Sequence, residues 1–248
     1  VDSGFGSDSL RLWYKQPARK WEEALPIGNG RLGGMVFGDV AKERIQLNEE
    51  TLWSGPMPPR DRIGAYTYLQ EARKLIFEGK YVEGQEIMQK QFMGPESDHV
   101  SYQTLGDLFL DFPEGEPVSD YRRELDLDSA IARVTYTQAG ATYTREVFSS
   151  PVDQVLVVRL TCSQPERLTF AVSLSRSENA EVNSVGSEGL IMQGQANRGK
   201  PTAGVRFASR LKALHDGGTL SVVENRLHVE KADSVTLLFA AATTYRES

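Results

Sequence analysis

Leu168-Thr169-Phe170-Ala171-Val172-Ser173-Leu174-Ser175 alternates apolar and small or polar residues without a break. Leu168, Phe170, Val172 and Leu174 therefore share one face of an extended chain, the mark of a strand half buried against a core. The same period recurs in Ala132, Val134 and Tyr136, and in Val205, Phe207 and Leu211 with a polar Ser209 between them. Turn signals separate such runs at Ala139-Gly140, Gly186-Ser187-Glu188-Gly189, Asp216-Gly217-Gly218 and Glu224-Asn225, at the spacing of hairpins. From about residue 105 onward the reading is antiparallel β, and many strands of this length with short turns point to a sandwich. Between Gly64 and Phe92 the period changes. Tyr66, Leu69, Ala72 and Ile76 recur at helical spacing, and Ile87, Met88 and Phe92 suggest a second short helix after Gly79 to Gly84. The fold class expected is all-β, with a two-helix insertion at about residues 64–92. Gly55 to Arg62, with three prolines, reads as an irregular loop.

The chain has 248 residues, 40% hydrophobic and 25% charged, which suits one large globular domain. We expect a flexible terminus over 1–9, polar and Gly/Ser-rich, and a single domain over 10–248. Lys and Arg number 28 against 34 Asp and Glu, with no basic run, so nucleic acid is not an expected partner. No stretch of about 18 apolar residues exists to span a membrane as a helix. The single cysteine, Cys162, follows the apolar run Val155 to Thr161 and reads as a buried, inert thiol. One cysteine cannot form an internal disulfide. The histidines, His99, His215 and His228, lack metal-ligand spacing, so neither metal nor cofactor is expected.

Three clusters carry chemistry. Gly28-Asn29-Gly30-Arg31-Leu32-Gly33 matches a dinucleotide-binding glycine pattern, but the strand-like Met35-Val36-Phe37 follows where a helix would have to open. A tight turn into a strand fits better, with Asn29 and Arg31 either as ligand contacts or as a hydrogen-bonded corner. Leu47-Asn48-Glu49-Glu50-Thr51-Leu52-Trp53 joins an amide, two carboxylates and an indole at a strand end, a set that suits sugar hydroxyls and ring faces. A solvated strand end with a core tryptophan is the plain alternative. Adjacent Glu49 and Glu50 point to opposite faces, so they are no acid/base pair. Asp126 and Asp128 would share a strand face, but the Leu-Asp-Leu-Asp alternation around them suits a half-exposed strand. No catalytic residue can be assigned. A twelve-helix catalytic toroid needs about 190 residues, whereas two helical segments are present.

The run Trp21 to Gly38, with Ile45 to Gly55, resembles the amino-terminal domain of glycoside hydrolase family 95, the α-L-fucosidase family. Further matching stretches are Ala72 to Ile76, Gly79 to Tyr81, Tyr102 to Leu108, Tyr121 to Asp128, Tyr143 to Ser150 and Ala240 to Tyr245, so the likeness spans roughly residues 10–245. Thr104 departs from it, standing where proline is usual. The resemblance implies a β super-sandwich that precedes a helical linker, an (α/α)6 barrel and a carboxy-terminal β domain. It also implies an inverting enzyme acting on terminal α-L-fucose, or α-L-galactose in some relatives, whose catalytic residues all lie in the barrel. This chain is then a non-catalytic domain whose partners are that barrel and a fucosylated glycan. A secreted or periplasmic setting is compatible with such a role. Asn29, Arg31, Asn48, Glu49, Trp53 and Gln103 are the candidates for the barrel-facing cleft rim, and a domain separated from its barrel should expose an apolar patch. A freestanding carbohydrate-binding module is the main alternative, and a structural or adhesion domain without sugar chemistry is a third reading.

Overall fold

The structure, a computed structural model, describes residues 10–55, 62–93, 100–197 and 204–245. The period-two runs become strands β1 (Arg11–Tyr14), β2 (Leu25–Gly28), β3 (Leu32–Val36), β4 (Lys42–Glu49), β5 (Gly106–Asp111), β6 (Ser119–Asp126), β7 (Ile131–Gln138) and β8 (Ala141–Ser150). The second half supplies β9 (Val155–Cys162), β10 (Leu168–Ser175), β11 (Ala180–Val185), β12 (Gly189–Gln195), β13 (Arg206–Asp216), β14 (Thr219–Val223), β15 (Arg226–Ala232) and β16 (Ser234–Thr243). They form two antiparallel sheets. One has nine strands in the order β1-β6-β7-β8-β9-β16-β13-β12-β11; the other has seven, β14-β15-β10-β5-β4-β3-β2. The architecture is an all-β sandwich with a helical insertion, as the alternation implies.

Inward residues of both sheets meet in one core. In β10, Leu168, Phe170, Val172 and Leu174 are buried among Leu108 and Leu110 of β5, Leu227 and Val229 of β15, and Leu237 and Phe239 of β16. Burying a side chain of this kind contributes about 1.5–3 kcal/mol. Ser209 keeps its place in this face of β13 because its hydroxyl donates to the Met192 carbonyl at 3.4 Å. Toward the end away from β4's carboxyl terminus, a buried ion pair joins the sheets: Glu43 of β4 meets Arg145 of β8. Glu43 also accepts from the Gly38 N–H at 2.8 Å, and Arg145 donates to the Asp39 carbonyl at 3.2 Å. Burial pushes the Glu43 carboxyl upward, against the lowering by Arg145 and the backbone N–H groups.

Several local expectations change. Asp216-Gly217-Gly218 does not close a hairpin; it carries the chain from β13 in one sheet to β14 in the other, with Gly217 and Gly218 both at positive φ. The other three turn signals do join paired strands. Asp128 lies in the turn after β6, where the Asp126 carboxylate accepts from its N–H at 3.0 Å, so the two acids share no strand face. Cys162 ends β9 half-buried, packed against the core rather than within it.

The insertion is a helical hairpin, α1 (Leu69–Phe77) and α2 (Tyr81–Gln91). The second helix starts before Gly84 rather than after it. Gly84 lies inside α2 because a Cβ there would stand 3.1 Å from the Ile76 side chain, so glycine lets the helices close. Ala72 and Gly84 are its only buried helical residues, and no residue of the insertion belongs to the sandwich core. Residues 1–9 and most of the Gly55 to Arg62 loop lie outside the described residues.

Candidate functional site

The six candidate residues gather at one end of the sandwich, where β2 turns into β3 and β4 ends. The glycine-rich run is the β2–β3 hairpin loop. Gly30 takes φ +91° at the first central position of the turn, a conformation that glycine adopts without strain. Asn29 builds the corner: its Oδ1 accepts from the N–H groups of Arg31 at 3.0 Å and Leu32 at 2.8 Å, and its Nδ2 donates to the Ser150 carbonyl at 2.8 Å.

Arg31 reaches from this loop into the nine-stranded sheet. Its guanidinium donates to Gln154 Oε1 at 2.7 Å, to the Gln154 carbonyl at 3.2 Å and to the Ala241 carbonyl at 2.7 Å. It also stands 3.7 Å from the Glu49 carboxylate. Arg31 is thus a clamp between the sheets.

Strand parity decides the rest. On β4, Glu43, Ile45, Leu47 and Glu49 face inward, and Gln46 and Asn48 face outward. Glu49 is buried, and its Oε2 accepts from the Thr51 N–H at 2.8 Å and the Thr51 hydroxyl at 2.6 Å. Trp53 makes an isolated bridge to Tyr102 and packs its ring against that tyrosine, centroids 5.1 Å apart and planes tilted at 59°. Gln103 accepts from Arg176 at 2.7 Å. Asn29, Arg31, Glu49 and Gln103 are therefore engaged within the domain, whereas Asn48 is directed outward.

Outward from Asn48 lies a trough of about 400 Å3, within the range of small-ligand clefts, on the face of the seven-stranded sheet. Its floor is bare backbone, because Gly33 pairs with Asn48 on one side and with Gly28 on the other. Trp21 and Tyr102, 54% and 43% exposed, contribute aromatic walls. The Trp21 indole N–H donates to Gln46 Oε1 at 2.7 Å. Asn48 hydrogen-bonds the Tyr102 hydroxyl, which donates to the Glu49 carbonyl at 3.0 Å. Burial, reinforced by the carboxylates of Glu49 and Glu50, pushes that hydroxyl above its ordinary value despite the Asn48 bond, so it stays a donor. Thr104 bonds the Leu47 carbonyl at 3.0 Å, holding the trough's rim where the resemblance would place proline.

Sequence reasoning passed over Trp21, Gln46 and Tyr102. Their signal was present as outward parity on β4 and as aromatic residues beside the quoted motifs. A larger recess, about 590 Å3, opens at the opposite end, lined by Lys15, Asp39, Phe112, Glu114 and Tyr121. Its rings are occupied within the fold: Phe112 stacks on Phe170, and the Tyr121 hydroxyl donates to the Gly38 carbonyl at 2.7 Å. Among the described residues no cluster of three His, Cys, Asp or Glu side chains is placed to hold a metal ion. No helix of the described residues is long and apolar enough to cross a membrane.

Comparison with known proteins adds the family. The model described as "Glycosyl hydrolase family 65, N-terminal domain" matches residues 12–248. The chain belongs to this family. Its number differs from that of the resemblance drawn from the motifs, 65 in place of 95, and both denote an amino-terminal domain of a glycoside hydrolase. This glycosyl hydrolase N-terminal domain is 34% identical to Alpha-L-fucosidase 2 of Arabidopsis thaliana, over 96% of the chain and 31% of that protein. It is 31% identical to Probable alpha-fucosidase A of Aspergillus niger, again over 96% of the chain and 31% of the relative. The domain thus spans about a third of the length of these curated relatives. A solved structure titled "Putative kojibiose phosphorylase from human microbiome" aligns with TM-score 0.48 and 8% identity, over 96% of this chain and 33% of that one.

Proposed function

We propose that this chain is the non-catalytic amino-terminal sandwich of an inverting α-L-fucosidase-like glycoside hydrolase that cleaves terminal α-L-fucosyl linkages in glycans, with α-L-galactosyl linkages as the alternative substrate. In this reading it packs on an (α/α)6 catalytic barrel and shapes the rim of the cleft. The similarity to Alpha-L-fucosidase 2 along 96% of the chain carries the proposal, since that alignment takes in only 31% of the relative. Inversion needs two carboxyl groups about 6.5–9.5 Å apart across a sugar and a water. Glu43 and Glu49 are buried inside the sandwich, where no glycan reaches them. The helical hairpin supports a packing role, for Phe77, Tyr81 and Val82 are exposed on it, and Tyr66 and Met93 just beside it.

The test uses the longer polypeptide that carries this domain. Asn48→Ala and Trp53→Ala are expected to lower turnover of a fucosylated oligosaccharide or loosen the domain against the barrel, while the domain alone stays folded. Unchanged kinetics and unchanged thermal stability in both variants would refute the rim assignment.

A further inference from the structure

We propose that the trough between Trp21 and Tyr102 is itself a sugar-contact site, holding one neutral pyranose ring against the outer face of the seven-stranded sheet. The reading above supplies the glycan as the source of the ring; the chemistry comes from the trough alone.

Its lining contains no charged side chain: the Pro26 and Met35 side chains and the backbone of Ile27 and Leu47 join the aromatic, amide, hydroxyl and glycine groups of the trough. An anionic ligand would find no counter-charge there, so a phosphate, a sialic acid or a nucleotide is disfavoured. A neutral pyranose has two chemically distinct aspects. Its C–H faces seek an aromatic or apolar platform, and its hydroxyls at the edge each need a donor or an acceptor.

Both aspects are met in a fixed arrangement. Asn48 stands beside the Tyr102 hydroxyl, which is committed to the Glu49 carbonyl, and on the outward face of β4 its Oδ1 has no hydrogen-bond partner among the described residues, so it is available as an acceptor. Gln46 Oε1 is taken by the Trp21 indole, which leaves the Gln46 NH2 as a donor with no protein partner among the described residues. The two amides sit two residues apart on one strand face, about 6.6 Å along the strand. That separation suits hydroxyls on two sides of one ring. Between the amides and β2, Gly33 leaves space where any side chain would stand in the trough. A Cβ at Gly33 would meet the Ile27 carbonyl oxygen at 3.4 Å and the Asn48 Cβ at 3.8 Å, ordinary contacts, so the sheet itself has room for a Cβ there. Glycine here serves close approach from outside. Trp53 backs the Tyr102 ring, so this wall is held by packing.

The site is tested on the 248-residue chain by saturation-transfer NMR and tryptophan fluorescence, with methyl α-L-fucopyranoside, methyl α-D-glucopyranoside and N-acetylneuraminic acid as probes. The expected result is saturable binding of at least one neutral glycoside with Kd on the order of 1–50 mM, as befits a single ring. Trp21→Ala and Gly33→Val should each weaken it by about tenfold or more, with far-UV circular dichroism unchanged. Trp21 is exposed and outside the core, so its loss tests binding even if Gly33→Val disturbs the sheet. Absence of saturable binding by both neutral glycosides, equal affinity in both variants, or equal binding of the sialic acid would overturn the site. Binding of the glucoside without the fucoside would keep the site and count against the fucosidase reading; failure of both, with a fucosidase longer polypeptide, would do the reverse.

Discussion

Replacing Arg31 by alanine removes the clamp between the two sheets at the candidate end. Three hydrogen bonds are lost, to Gln154 Oε1, the Gln154 carbonyl and the Ala241 carbonyl. Hydrogen bonds to a charged group are worth about 1.5–3 kcal/mol each. The Arg31 side chain is 26% exposed, so water replaces part of what is lost, and the expected destabilisation is about 2–4 kcal/mol. For a domain of this size each kcal/mol lowers Tm by about 2–4 °C. Arg31→Lys should restore little, because a single ammonium cannot reach a side-chain oxygen and two separate carbonyls as the guanidinium fork does. The Glu49 carboxylate at 3.7 Å adds a smaller share, and a double-mutant cycle of Arg31→Ala with Glu49→Gln should give a coupling of about 0.5–1 kcal/mol. Urea titration followed by tryptophan fluorescence measures all four variants. A loss below about 0.5 kcal/mol for Arg31→Ala would refute the clamp, since it would mean the bonds are made equally well by water.

Glu43→Ala should cost about 3–5 kcal/mol in the same titration, because it strands the buried Arg145 guanidinium; the double change Glu43→Leu with Arg145→Leu should recover most of that. Burial raises the Tyr136 hydroxyl to about 12. A group whose folded value lies above its unfolded value of about 10 contributes stability below pH 10 and loses it as pH rises toward 12, so thermal stability should fall across that window. Tyr136→Phe should flatten part of the fall, and a native-state ultraviolet titration should show tyrosines that ionise only above pH 10.

The sandwich was legible because its strands alternate cleanly: Leu168 to Ser175 can satisfy both its backbone and its apolar face only in a sheet. The reversal at Asp216-Gly217-Gly218 was not, since a glycine turn has the same composition whether it joins neighbours or changes sheets. Pairing partners far apart in sequence decide that question, as in the register of His215 with Val235. At the site, parity along β4 already separated inward Glu49 from outward Asn48, but residue type drew attention to both. The destination of Arg31 could not be read locally, because its partners Gln154 and Ala241 lie more than a hundred residues away. The trough was hidden for a related reason: Trp21, Gln46 and Tyr102 are ordinary residues until the sheet brings them to one face.

The division of labour proposed for this domain is best judged by incubating the purified 248-residue chain with a terminally fucosylated oligosaccharide across pH 4 to 8 and quantifying free L-fucose. Release no faster than in buffer is expected, because the two carboxylates at the β4 ends are buried within the sandwich. Liberation of fucose at an enzymic rate by this chain alone would contradict it.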